Sequence, residues 1–188
     1  MASESAPDEL EFDDRAPDFE LQGTDERTYS LGDFDDYDAL LVVFMCNHCP
    51  YVQAKFETMN ALADDYPDLA VVGINPNDAE EYPDDSFENM VKRVDSGEIN
   101  ITAYLRDETA AVAKSYGAVC TPDPFLFRND NDVFRLAYHG RFDDAMSPDD
   151  EPTGEPGEEM RDALDFVMAG ETPEVAFEPS RGCSIKWP

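Results

Sequence analysis

Lysine is scarce in this chain. Its 188 residues carry four (Lys55, Lys92, Lys114 and Lys186), and Lys and Arg together number 13 against 44 Asp and Glu. The formal charge of −31 excludes nucleic acid and anionic membrane surfaces as partners, because both would repel it. No apolar stretch approaches the roughly 20 residues of a membrane span. The start, Met1-Ala2-Ser3-Glu4-Ser5-Ala6-Pro7-Asp8-Glu9, has no apolar core of the kind a secretory signal needs. Together these absences predict a soluble, cytoplasmic protein. A Gly-rich dinucleotide fingerprint is also missing, so no bound cofactor is expected and electrons must come from another protein or a small thiol.

Hydrophobic residues still make up 41% of the chain, enough for the core of one domain at this length. The acidity therefore reads as a solvated surface. A Lys-poor, Asp/Glu-rich surface of this kind resembles cytosolic proteins of halophiles that accumulate salt. At molar salt the Debye length falls to about 3 Å and screens the self-repulsion.

Four cysteines in a reducing compartment point to redox or metal chemistry rather than structural staples. Two of them stand in Cys46-Asn47-His48-Cys49, directly after the apolar run from Ala39 to Met45 and ahead of a segment with helical periodicity. A Cys-x-x-Cys pair at a strand-to-helix junction puts both sulfurs in the first helical turn. There the free N–H groups and the positive end of the dipole favour a thiolate. This is the pattern of a dithiol–disulfide couple.

Around that motif the chain divides into elements. Residues 1–14 read as an acidic, flexible leader. Short strands are expected at 16–21 and 28–31, and buried strands at 39–45 and 69–75. A helix is expected from Pro50 to Asp65, loosened at its start by Pro50, which has no N–H. Residues 76–85 form a polar connection, and Ser86 caps a helix to Val94. A strand at 101–105 and a helix at 108–116 stopped by Gly117 follow. A hairpin turns at Asn129-Asp130-Asn131-Asp132, with Asp143-Asp144 in a later turn. Residues 143–157 are a loop, a last helix ends at Gly170, and the tail 171–188 carries Cys183 and Trp187. Buried strands joined by helices imply right-handed parallel crossovers. The fold class is α/β, a mixed sheet flanked by helices in a single domain over 15–188.

This order, with Cys-x-x-Cys after the first core strand, resembles the thioredoxin superfamily. Thr121-Pro122-Asp123-Pro124-Phe125 is similar to the family's cis-proline stretch, which implies that Pro122 is cis and sits beside the cysteine pair. Only about 5–6% of X–Pro bonds are cis, so the implication is a sharp one. Ala16-Pro17-Asp18-Phe19 and Ser30-Leu31 resemble the front hairpin of the redoxin (AhpC/TSA-type) branch, which holds the peroxiredoxins. Cys46-Asn47-His48-Cys49-Pro50-Tyr51-Val52, Cys120-Thr121-Pro122, Tyr138-His139-Gly140-Arg141-Phe142-Asp143-Asp144 and Gly182-Cys183-Ser184-Ile185-Lys186-Trp187 are similar to one peroxiredoxin-like group of thioredoxin-fold proteins.

The expected activity is thiol–disulfide exchange. Cys46, taken as the more exposed sulfur, is the nucleophile with a lowered pKa, and Cys49 resolves the mixed disulfide. His48 donates to the Cys46 thiolate. A histidine there resembles protein disulfide isomerase, which implies a couple less reducing than thioredoxin's roughly −270 mV. Pro122 completes the site, with Thr121, Cys120 and Cys183 as auxiliary candidates. Cys120 either relays electrons, pairs with Cys183 or is an inert buried thiol. Partners are protein or small-molecule disulfides, hydroperoxides as an alternative, and a thiol or thioredoxin-reductase-type electron donor.

Two other functions compete. A peroxidase of the redoxin branch needs Pro-x-x-x-Thr/Ser-x-x-Cys. Counting back from Cys49 gives Val42 and Cys46 at those places, and from Cys46 it gives Ala39 and Val43, so neither frame fits. A copper- or zinc-binding module would use Cys46, Cys49 and either His48 or His139. No metal is expected, and His139, near a strand end, reads as a satisfied or surface residue.

Overall fold

The computed structural model describes residues 1–6 and 10–188. Along the chain run β1 (Ala2–Glu4), β2 (Glu20–Gly23), β3 (Thr28–Ser30), β4 (Ala39–Phe44), α1 (Pro50–Gln53), α2 (Phe56–Asp65), β5 (Leu69–Asn75) and α3 (Phe87–Asp95). Then come β6 (Ala103–Arg106), α4 (Ala111–Tyr116), β7 (Cys120–Thr121), β8 (Asp123–Asn129), β9 (Phe134–His139), α5 (Glu158–Met168) and β10 (Arg181–Ser184).

Seven strands form one sheet in the order β3-β2-β6-β5-β4-β8-β9. Its centre, β6-β5-β4, is parallel, whereas β2, β8 and β9 run antiparallel to their neighbours. Every residue of β4 and β5 is buried, as expected of strands covered on both faces. Alternation then divides β4 between two cores. Leu41 and Val43 pack with Phe56, Met59 and Leu62 of α2 and with Met160 and Leu164 of α5. Leu40, Val42 and Phe44 face the opposite side, with Tyr116 of α4, Phe34 and Phe127. The sheet is thus a mixed one flanked by helices. Among the described residues, no helix is long and apolar enough to cross a membrane.

Several boundaries differ from expectation. Ala16–Phe19 is not a strand: Ala16 and Phe19 are buried as anchors ahead of β2, which starts only at Glu20. The long helix after the cysteines is broken at Ala54–Lys55, where Lys55 leaves the helical region at φ −110°, ψ 2°. Pro50 does not cause this. It occupies the first helical position, where the missing N–H would have had no partner. Ser86 caps α3 as expected, its Oγ accepting from the Asn89 N–H at 3.3 Å.

The leader is corrected for the residues that can be compared. Ala2–Glu4 pair with β10, and Ser5 N–H donates to Ser180 O at 2.8 Å. Residues 7–9 of that expected leader lie outside the described residues. The second sheet, β1-β10-β7, holds the tail against the segment that precedes Pro122.

Candidate active site

The parallel strands all end at one edge of the sheet, and the cysteines lie just beyond it, where crossover folds leave a crevice. The β4 strand ends at Phe44. Met45 N–H still bonds Ile74 O, and the chain then turns through Cys46, Asn47 and His48 before α1 begins. Cys49 is the N-cap of α1, so only its sulfur sits at the positive helix end. Cys46 lies ahead of the helix, which corrects the expectation of two sulfurs in one turn. Neither is the exposed one, since both residues have 0% exposure.

The Thr121–Pro122 bond is cis. Thr121 faces both cysteines: its Oγ1 is 3.6 Å from Cys46 Sγ and its carbonyl oxygen is 3.4 Å from Cys49 Sγ. On the other side of Cys49 is Cys183 of β10, with the two sulfurs 2.6 Å apart. Cys120 points elsewhere. Its sulfur contacts the carbonyl oxygens of Pro122 at 3.7 Å and Ser180 at 3.8 Å, so the partner of Cys183 is Cys49 and not Cys120.

Beneath the loop lies a carboxylate that no motif marks out. Asp85 is fully buried and sits in an acid-rich connection that reads as solvated. Its Oδ1 accepts the N–H groups of Asn47 at 2.7 Å and His48 at 3.3 Å. Its Oδ2 accepts from Asn77 Nδ2 at 2.7 Å and pairs with His48 Nδ1 at 2.6 Å. Asn47, also buried, accepts from the Tyr104 hydroxyl at 2.9 Å through Oδ1, and its carbonyl accepts from Gln53 and Arg93. The CNHC loop is therefore held rigidly by groups from β6, α1, α3 and the β5–α3 connection.

This network corrects the expected role of His48. Its Nδ1 is committed to Asp85, and its ring stacks on Tyr82 at 5.8 Å between centroids. The hydroxyl beside Cys46 is that of Thr121. A metal set differs from expectation too: ligand atoms of Cys46, His48 and Asp85 lie within 4.8 Å of one another. The His139 ring is taken by the buried Asp123 at 2.8 Å and stacks on Phe125, the satisfied role read for it. Asp143 accepts from Lys55 and from the Ala145 and Gly157 N–H groups, which makes it a loop anchor.

Electrostatics divides the cysteine pair. Cys46 is pushed well above an ordinary thiol because it donates a hydrogen bond to Cys49, is buried, and faces the Asp85 carboxylate. Cys49 is lowered, first by that hydrogen bond from Cys46, which together with a thiol donor in Cys183 outweighs its burial. Cys183 is raised by burial and by its bond to Cys49, and burial raises Cys120 as well. The hydrogen bond between the two sulfurs thus places the higher pKa on Cys46 and the lower on Cys49. That overturns the expectation of a lowered pKa at Cys46.

A model of the AhpC/TSA family matches residues 12–135. Over 100% of its length the chain is similar to a hypothetical protein from Sinorhizobium meliloti at 37% identity and a TM-score of 0.89, covering 99% of that chain. An uncharacterized conserved protein from Geobacillus kaustophilus is similar at 38% identity and a TM-score of 0.90, covering 100% of this chain and 97% of that one. The thioredoxin domain of a thiol-disulfide oxidoreductase from Bacteroides vulgatus shares the fold. It is 18% identical with a TM-score of 0.55, over 70% of this chain and 91% of that one. No curated protein matches. The fold is thioredoxin-like.

Proposed function

We propose that this chain, which belongs to the AhpC/TSA family, is a thiol–disulfide oxidoreductase whose working couple is Cys46 and Cys49. The observation that carries the reading is the placement of both sulfurs against Thr121 of the cis Thr121–Pro122 bond, with Cys49 capping α1.

In the reduced state Cys49 holds the charge and Cys46 the proton. A substrate disulfide approaches Cys46, on the side where His48 reaches the surface. As Cys46 attacks, its proton passes to Cys49 along the hydrogen bond between them. A Cys46–substrate disulfide forms and one substrate sulfur leaves as a thiolate. Cys49 then attacks the Cys46 sulfur, releasing the second substrate sulfur, which takes the Cys49 proton. The substrate gains two electrons and the Cys46–Cys49 disulfide holds the oxidation. An external thiol or a dithiol protein returns the electrons.

A peroxidase reading has one contact in its favour, the Thr121 hydroxyl near Cys46. That hydroxyl comes from Thr121, far along the chain, whereas the places three positions ahead of Cys46 and Cys49, where a peroxidase frame keeps a Thr or Ser, are held by Val43 and Cys46. Peroxide reduction is accordingly the secondary reading.

Turnover of a disulfide-bonded protein such as insulin with a dithiol donor tests the proposal. Wild type turns over, and Cys46→Ser and Cys49→Ser each lose about 100-fold or more. Cys49→Ser, which lacks the resolving sulfur, accumulates a mixed disulfide on Cys46 that mass spectrometry detects. Insulin reduction unaffected by Cys46→Ser, or turnover of hydroperoxide alone, would remove the exchange reading.

A further inference from the structure

Cys183 lies 134 positions from Cys49 in sequence, yet their sulfurs are 2.6 Å apart. That is nearer than two sulfurs that merely pack, and longer than a disulfide bond of about 2.05 Å. The approach is built rather than incidental. β10 pairs with β7 so that Cys183 stands opposite Thr121, the residue that touches both motif cysteines. Gly182 makes the pairing close: a Cβ there would meet the Thr121 carbonyl oxygen at 1.8 Å. β1 lies along the other edge of β10, and beyond it Lys186 N–H donates to Asn77 Oδ1 at 2.9 Å, tying the tail to the loop that holds Asp85. Of the four cysteines only Cys183 is partly exposed; Cys46, Cys49 and Cys120 are buried.

We infer that Cys183 is a third redox thiol that takes over the disulfide from the Cys46–Cys49 couple and presents it to the external reductant. This rests on the exchange reading above and extends it to the return of electrons. The Cys183 thiol gives up its proton and attacks Cys49 in the Cys46–Cys49 disulfide. The Cys49–Cys183 bond forms, the Cys46–Cys49 bond breaks, and Cys46 leaves as a thiolate that takes the proton. No net oxidation occurs, because one disulfide replaces another. One thiol of a dithiol reductant then attacks the partly exposed Cys183 sulfur and displaces the Cys49 thiolate; its second thiol attacks the first, releasing Cys183 as a thiolate and forming the reductant's own disulfide, and the two reductant protons pass to Cys49 and Cys183, which restores three thiols.

Disulfide mapping of the full chain decides the matter. Wild type, Cys46→Ser, Cys120→Ser and Cys183→Ser are each reduced, oxidised with one equivalent of diamide, blocked with N-ethylmaleimide and digested without reductant. Wild type, Cys46→Ser and Cys120→Ser are expected to give the Cys49–Cys183 peptide pair, with Cys46 alkylated wherever it is present. Cys183→Ser is expected to stop at Cys46–Cys49 and to lose about tenfold in dithiol-driven insulin turnover. A wild type held entirely as Cys46–Cys49, with no Cys49–Cys183 pair in Cys46→Ser, overturns the relay and leaves the exchange reading standing. Absence of any intramolecular disulfide in all four proteins overturns both. A Cys120–Cys183 pair in wild type overturns the relay by assigning Cys183 another partner.

Discussion

Asp85 sets the terms on which Cys46 can react. Its carboxylate accepts from Asn47 N–H, His48 N–H and Asn77 Nδ2 and pairs with His48 Nδ1, and it adds to the bond to Cys49 and to burial in raising the Cys46 thiol. Cys49 meets the opposite environment, with two thiol donors and a helix N-terminus. The reduced pair should thus release its first proton on the acid side of a free thiol, whose pKa is about 8.5. Cys49→Ser should leave Cys46 titrating above that value, because burial and Asp85 still raise it while only the Thr121 hydroxyl lowers it. Thiolate absorbance at 240 nm against pH, alongside alkylation rates, reads both. An unchanged titration in Cys49→Ser would show that the charge resides on Cys46. Asp85→Asn should lower the Cys46 pKa, while costing about 2–4 kcal/mol through the broken network around Asn47 and His48.

The same contacts operate at the level of elements, where β10 is the piece on which the tail's position depends. Adding a Cβ at Gly182 drives it into the backbone of β7, so Gly182→Ala must displace the strand rather than rotate a side chain. The expected cost is about 1–3 kcal/mol, or about 2–12 °C in Tm for a chain of this size. Calorimetry should show that loss, and the Cys49–Cys183 linkage should weaken with it. An unchanged Tm would mean that β10 does not bear on β7 as closely as its register indicates. Much of the remaining architecture was legible in the sequence. Continuous apolar runs gave β4 and β5, period-3.6 faces gave α2, α3 and α5, and the Cys-x-x-Cys motif located the loop. The strand at Arg181–Ser184 was not, because its residues are short, polar or glycine and carry no alternation. Asp85 was hidden for a related reason: nothing local separates a buried aspartate from its exposed neighbours Asp84 and Glu81. Its burial is decided by Asn47, His48 and Asn77, which only the fold brings together.

For the molecule as a whole, charge dominates. Even if each of the 13 cations neutralised one carboxylate, 31 of the 44 would stay uncompensated, the difference that gives the net charge of −31. The ion pairs that exist, such as Arg141–Glu159 and Arg161–Asp65, lie partly exposed and contribute about 1 kcal/mol or less each. They cannot offset repulsion spread over the entire surface. Repulsion of this kind favours the expanded chain, where like charges lie farther apart. Its range in dilute buffer, about 30 Å at 0.01 M salt, spans much of the domain, but shrinks to about 3 Å at 1 M. Tm should therefore climb steeply as KCl rises from about 0.01 to 1 M and flatten beyond, once screening is complete. A salt that acted by strengthening apolar burial would instead go on raising Tm with concentration, so the shape of the curve separates the two causes. Differential scanning calorimetry of the reduced protein across that range makes the measurement. A Tm that does not rise would mean that the surface charge is already balanced at short range, and the halophile-like reading of this surface would fall.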